Sequence, residues 1–306
     1  MKKIAHIALA VVTISSLVAF GPSATASPGG PADQANVLHE SQVPQTFINK
    51  YAARTTSSTD ISYHNGPVMT GANNVYVIWY GNWAASKTTI INDFLTNLGG
   101  SPYHLLNGAY YNTAKVKVGT SLTVKGQTSV SDTTLGKTLT DANIQTIVSK
   151  AINGNAFGTT TPDTNGIYIV LTAGDIAESS GFLTKYCGWH TFGTMSTKPV
   201  KYAFVGDPSA SLATCAGQTA SSPNGDPAVD AMISVIAHEI AETVTDPQLN
   251  AWYDNKGMEN ADKCAWNFGT TYATANGSKA NMKLGTRDYL IQQNWALTSP
   301  QGCALK

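Results

Sequence analysis

Charge is what this sequence has least of. Asp, Glu, Lys and Arg make up 12% of its 306 residues, and their formal charges cancel to zero. That excludes the clustered Lys and Arg by which proteins hold nucleic acid or an anionic membrane surface. Cysteine is scarce as well, with four residues and no Cys-x-x-Cys pair, which argues against a Cys-ligated metal. After residue 26 no stretch is apolar enough to span a membrane. Internal repeats are absent, and so are low-complexity tracts beyond the N-terminal portion.

What is present begins with an export signal. Lys2 and Lys3 form a basic start, Ile7 to Phe20 an apolar run, and Ala24-Thr25-Ala26 a small-x-small cleavage site. Residues 1–26 therefore read as a secretory signal peptide, and the product is expected to be secreted. Residues 27–60 carry Pro, Gly, Ser and Gln without apolar periodicity, the composition of a disordered leader. Residues 61–306 form the folded part. Four thiols in an oxidising compartment allow three pairings, and spacing favours Cys187–Cys215 and Cys264–Cys303.

Within the folded part, Asn74–Tyr80 is a β-rich run closed by Gly81. Thr88–Leu98 places Ile90, Ile91, Phe94, Leu95 and Leu98 at helical spacing. Val116, Val118, Leu122 and Val124 alternate as in strands, with a turn at Gly119-Thr120. Thr140 or Asp141 caps a helix through Ile152 that stops at Gly154. Gly166–Leu171 and Lys201–Gly206 read as buried strands, Asn267–Arg287 as loops and hairpins, and Tyr289–Trp295 as a closing strand. This order suits one α/β (α+β) domain, a mixed sheet packed against helices.

The most informative stretch runs from Asp226 to Asp262. Asp226 is an N-cap and Pro227 fits the first helical position. Val229, Met232, Ile233, Ile236, Ile240 and Val244 then form one apolar face, and Pro247 ends the helix. Between Ala231 and Thr245 the only ionisable residues are His238, Glu239 and Glu242. Residues four apart share a helix face, so His238 and Glu242 project together and Glu239 lies one position round. Carboxylates in such apolar company need a cation, a proton or a metal. Met258-Glu259-Asn260-Ala261-Asp262 supplies a second acidic pair downstream.

Two resemblances follow. Tyr63-His64-Asn65-Gly66-Pro67, Val75–Trp83, Cys187-Gly188-Trp189-His190, Ser222–Asp226 and Glu242-Thr243-Val244-Thr245-Asp246-Pro247 occur in order. Over about Tyr63 to Cys303 the chain thereby resembles the phosphate-induced protein (Exordium-like) family, in its bacterial secreted form. That resemblance implies an extracellular or cell-wall-associated protein and no settled activity. His238 to Asp262 also looks like the gluzincin protease pattern, in which His-Glu-x-x-His is followed by a Glu ligand and then an Asp, except that Glu242 stands where the pattern has His. The layout likewise resembles a zincin domain, whose last strand before the active helix borders the cleft.

Two functions are expected from these residues. In the first, a secreted metal-dependent hydrolase, most simply a peptidase, His238, Glu242 and Glu259 hold zinc and leave a position for water. Asp262 supports His238, Glu239 is the general base, and His190 stabilises the oxyanion. Oxygen-rich ligation admits calcium or manganese in place of zinc. In the second, a non-catalytic extracellular module keeps a structural metal or acid cluster there. It binds cell-wall polysaccharide through Trp79, Tyr80, Trp83, Trp189, Trp252, Tyr253 and Trp266, of which Trp79 and Trp252 are the best core candidates. A carboxylate pair such as Glu239 and Glu259 for glycoside hydrolysis ranks last.

Overall fold

The computed structural model describes residues 60–195, 197–298 and 300–306. The expected signal peptide, and the expected leader apart from Asp60, lie outside the described residues. Five strands make one sheet: β1 (Asn73–Tyr80), β2 (Leu122–Val130), β3 (Gly166–Thr172), β4 (Gly188–Met195) and β5 (Lys198–Gly206), in the order β2-β1-β3-β5-β4. The first three and β5 run parallel, whereas β4 pairs antiparallel with β5 at the edge. Parallel neighbours need long crossovers. Helix α1 (Ala85–Leu98) lies between β1 and β2, and α2 (Asp141–Asn153) between β2 and β3. Met195 pairs with Lys198, so β4 and β5 form a hairpin instead.

The three inner strands β1, β3 and β5 are buried on both faces, and their period of two divides their residues between two cores. Val75, Val77, Trp79, Ile167, Ile169, Leu171, Ala203 and Val205 face the core shared with α1 and with helix α3 (Pro227–Thr245). Tyr76, Ile78, Tyr80, Tyr168, Val170, Tyr202 and Phe204 face the core shared with α2. Thr140 caps α2 through a reciprocal capping box with Asn143, and Asp226 caps α3 by accepting from the Val229 amide at 3.1 Å.

Helix α3 departs from the one-faced helix its spacing predicts, because every residue from Ala228 to Thr245 is buried. The sheet takes one side. The remainder is covered by the chain's own loops: the Met69 amide donates to the Val244 carbonyl at 3.0 Å, the Gln292 amide to Ser234 Oγ at 3.1 Å. A helix covered on all sides belongs to a core. Its polar side chains must therefore be satisfied within the protein.

Other differences have local causes. Val116 and Val118 stand outside β2, which begins at Leu122. Gly119 passes so close to Gly71 that a Cβ there would lie 1.8 Å from its carbonyl oxygen, and the chain turns at that crossing. The expected strand from Tyr289 to Trp295 is two pieces. Arg287–Tyr289 pairs with Met282–Leu284, and Asn294–Ala296 with Gly302–Ala304. Between them the Ile291, Gln292 and Gln293 amides donate to Asn281 Oδ1, Ser234 Oγ and the Asn267 carbonyl, three separate partners where a ladder would need one. Both expected disulfides, Cys187–Cys215 and Cys264–Cys303, are closed.

Candidate metal centre

Three elements meet at the C-terminal half of α3. The first is α3 itself, which presents His238, Glu239 and Glu242. The second is β4. Trp189 points into the α2-side core, so strand alternation turns Gly188 and His190 towards α3. Cys187, three residues before His190, ties the start of this edge strand to Cys215. The strand that borders α3 on the open side of the sheet is thus β4, and not β5, the last strand before the helix in sequence.

The third element is the segment after the helix. Asp246 reverses the chain, its Oδ1 accepting from the Asn250 amide at 2.6 Å and the Ala251 amide at 2.7 Å. Trp252–Tyr253 then pairs with Ser62–Tyr63. Asp254 builds a second turn by accepting from the Lys256 and Met258 amides, with Gly257 at φ 80°. This delivers Glu259 and Asp262 to α3, and Cys264 fastens the segment to Cys303 two residues later.

Here Glu242 is central. Its Oε1 lies 3.0 Å from His238 Nε2 and accepts from the Asp262 amide at 2.9 Å, while its Oε2 lies 3.7 Å from His190 Nε2. Asp262 Oδ1 is 3.4 Å from His238 Nε2, and Glu259 Oε2 is 2.9 Å from His190 Nε2. One ligand atom from each of His238, Glu242 and Asp262 lies within 4.8 Å of the others, and the same holds for His190, Glu242 and Glu259. The structure therefore brings together every residue the sequence singles out here, with two exchanges of place. Asp262 joins Glu242 at His238, where Glu259 is expected. Glu259 joins His190, which sits beside carboxylates as a neighbour of the cluster. Glu239, 3% exposed, faces β4, with its Oε1 3.1 Å from where a Cβ on Gly188 would stand.

Electrostatics makes this group costly without a cation. His190, His238, Glu239, Glu242, Glu259 and Asp262 are between 2% and 6% exposed. Burial, and then the charge of Asp262, push Glu242 from its ordinary 4.5 to about 7, against the opposing pull of His238. Glu259 is held well above the carboxylate range by burial and by Glu242, Asp246, Asp262 and Glu239. Asp246 is pushed up to about 7 by burial despite its backbone donors. Glu239 and Glu242 also sit in the last two turns of α3, where the helix dipole repels anions and favours cations. The nearby Lys263 ammonium turns elsewhere, 3.0 Å from Asp254 and over the Trp295 ring. An imidazole with two carboxylates from different elements is a donor set that fits zinc or manganese.

Two residues at the site carry no sequence signal. Tyr103, on a one-turn helix at Pro102–Leu105, is buried with its hydroxyl lacking a hydrogen-bond partner among the described residues. Its phenol is raised by burial, with His238 and Glu242 as its charged neighbours. Asp246 reads in sequence only as a helix end. The aromatic set does not assemble into one platform. Trp79, Tyr80, Trp189 and Trp252 are core residues, Trp83 packs edge-on against Trp79, and Tyr253 stacks on His64 at 3.7 Å.

Known proteins resemble this chain along most of its length. Residues 61–288 match the phosphate-induced protein 1 conserved region. Protein EXORDIUM-like 3 of Arabidopsis thaliana is 33% identical over 274 residues, covering 77% of this chain and 80% of its own. Protein PHOSPHATE-INDUCED 1 of Nicotiana tabacum is 30% identical over 237 residues, 67% of this chain and 71% of its own. Protein EXORDIUM of Arabidopsis thaliana is 30% identical over 247 residues, 68% and 74% respectively. No solved structure matches the chain.

Proposed function

The chain belongs to the phosphate-induced protein 1 family, and we propose that it is an exported protein that binds a divalent metal ion, zinc first, at His238, Glu242 and Asp262, and that Glu239 makes the centre hydrolytic. The observation that carries this reading is the convergence of His238 Nε2, Glu242 Oε1 and Asp262 Oδ1 inside a buried, acid-rich core. Export is supported by the N-terminal signal pattern and the two disulfides. Among the described residues no helix is long and apolar enough to cross a membrane.

A divalent ion held by these residues would polarise a substrate carbonyl and acidify water, the two carboxylate ligands making that acidification weaker than three imidazoles would. The chain's own groups do the rest. His238, Glu242 and Asp262 hold the position. Glu239, adjacent to His238 on α3, takes a proton from the attacking water and returns it to the leaving group; an amine leaving group would make the protein a peptidase. The zincin-like arrangement that this reading takes would seat an extended extracellular peptide along the antiparallel edge strand β4 beside α3.

A second reading is favoured by burial. With ligand side chains so enclosed, a non-catalytic extracellular protein whose metal fastens β4, α3 and the following segment also accounts for the geometry. Cell-wall polysaccharide is the partner that reading takes, through the half-buried Trp83, Tyr253 and Trp266. Metal content, then turnover of unstructured protein by wild type and Glu239→Gln, separates the two. Metal with turnover abolished in the variant supports the hydrolase. Metal without turnover supports the second reading, and a protein that takes up no metal refutes both.

A further inference from the structure

We propose that the centre holds two metal ions bridged by Glu242, the second one at His190 and Glu259. This rests on the reading above that the centre binds metal, and extends it. The two oxygens of Glu242 are divided between the two imidazoles, Oε1 towards His238 and Oε2 towards His190. Each half then has the same composition: one imidazole, one terminal carboxylate and one oxygen of the shared carboxylate. Carboxylate-bridged metal pairs in proteins stand about 3.5–4 Å apart, a separation that one bridging carboxylate can span.

An independent observation points to a ligand on the second side. Glu259 is 5% exposed, and its Oε1 has no hydrogen-bond partner among the described residues, although its Oε2 is 2.9 Å from His190. A buried carboxylate oxygen left in that state bears its desolvation cost uncompensated, which a second cation would offset. Charge balance agrees. Glu239, Glu242, Glu259 and Asp262, with Asp246 beside them, carry five negative charges when ionised; one divalent ion leaves three uncompensated and two divalent ions leave one. The competing arrangement is a single ion at His238 with His190 protonated and ion-paired to Glu259.

The test uses the full mature chain, stripped of metal and titrated with Zn²⁺ and, separately, Mn²⁺. Calorimetry and elemental analysis after gel filtration read the stoichiometry. Two equivalents are expected for wild type, and one for Glu259→Gln and for His190→Gln. The Mn²⁺-loaded wild type is expected to give the electron paramagnetic resonance spectrum of an exchange-coupled pair. One equivalent in wild type, with the spectrum of isolated Mn²⁺, overturns the second ion and leaves the first standing. No equivalents overturn both. Because the spectrum is read on wild type, misfolding of a variant does not shield the proposal.

Discussion

Glu259 meets His190 at 2.9 Å, on the opposite side of Glu242 from His238. That relationship makes the buried cluster two triads of side chains with Glu242 as their common member. It also brings the edge strand β4 to the cluster, because strand alternation aims His190 at α3.

Metal should stabilise this protein measurably. A ligand at one hundred times its dissociation constant adds about 2.7 kcal/mol to a folded state that alone binds it. For a domain of this size, chelation should then lower Tm by about 5–10 °C. Zinc should restore it, and thermal melts with and without chelator check this. No change in Tm would count against a metal that joins three elements.

The metal-free protein should lose stability as pH rises from about 4.5 to about 7. Glu242 keeps its proton in the folded state across that window while the unfolded chain releases it. The folded state therefore binds more protons, and the stability slope with pH is negative. The decline should be on the order of a few kcal/mol, present in chemical denaturation of the stripped protein and reduced in the loaded one. His104, pushed down to about 4 by burial, contributes a rise over nearly the same window, so Glu242 is read as the difference between stripped wild type and stripped Glu242→Gln; no difference would show that Glu242 is ionised without metal.

Asp246 separates shape from charge. Its carboxylate is a backbone acceptor for the Asn250 and Ala251 amides and is pushed up to about 7. Asp246→Asn keeps an acceptor oxygen and should cost under about 1 kcal/mol. Asp246→Ala strands two amides, and should cost about 2–3 kcal/mol and weaken metal binding by misplacing Glu259 and Asp262. Equal effects of the two substitutions would show that the charge matters more than the turn.

Gly188→Ala should be among the most damaging single-methyl changes near the site. The added Cβ would stand 2.5 Å from Val235 Cγ1 and 2.8 Å from the Phe204 carbonyl oxygen, with Glu239 Oε1 at 3.1 Å. Overpacking of this kind costs about 1–3 kcal/mol. Because the same methyl presses on Glu239, turnover should fall even at temperatures where the variant stays folded.

Opening Cys187–Cys215 by double substitution to Ala should cost about 3.5 kcal/mol by loop-closure entropy alone, the separation being 28 residues. The sharper expectation concerns position. β4 would lose the anchor three residues before His190, so the His190–Glu259 side should weaken more than the His238 side. Metal stoichiometry on the folded fraction reads this.

Much of this was legible in the residues, because the deciding features are local. Asp226, Pro227 and Pro247 bound α3, the apolar runs at β1 and β3 identify the sheet interior, and acids isolated in an apolar helix announce a compensated cluster. Signals that depend on neighbours were not legible. β4 carries glycines at 188 and 193 and alternates weakly, so its strand character comes from pairing with β5. The pairing of Asp262 with His238 and of Glu259 with His190 follows from the turns at Asp246 and Asp254, whose geometry no spacing rule contains. Tyr103 arrives from a distant one-turn helix. The wholly buried character of α3 also escaped its periodicity, since the loops that cover its remaining sides lie far along the chain.

The most direct measurement is a crystal structure of zinc-loaded protein with anomalous data collected on either side of the zinc absorption edge. The account predicts an edge-dependent peak bounded by His238, Glu242 and Asp262. The contradicting result is density with no such peak, and His238 hydrogen-bonded to carboxylates that hold protons.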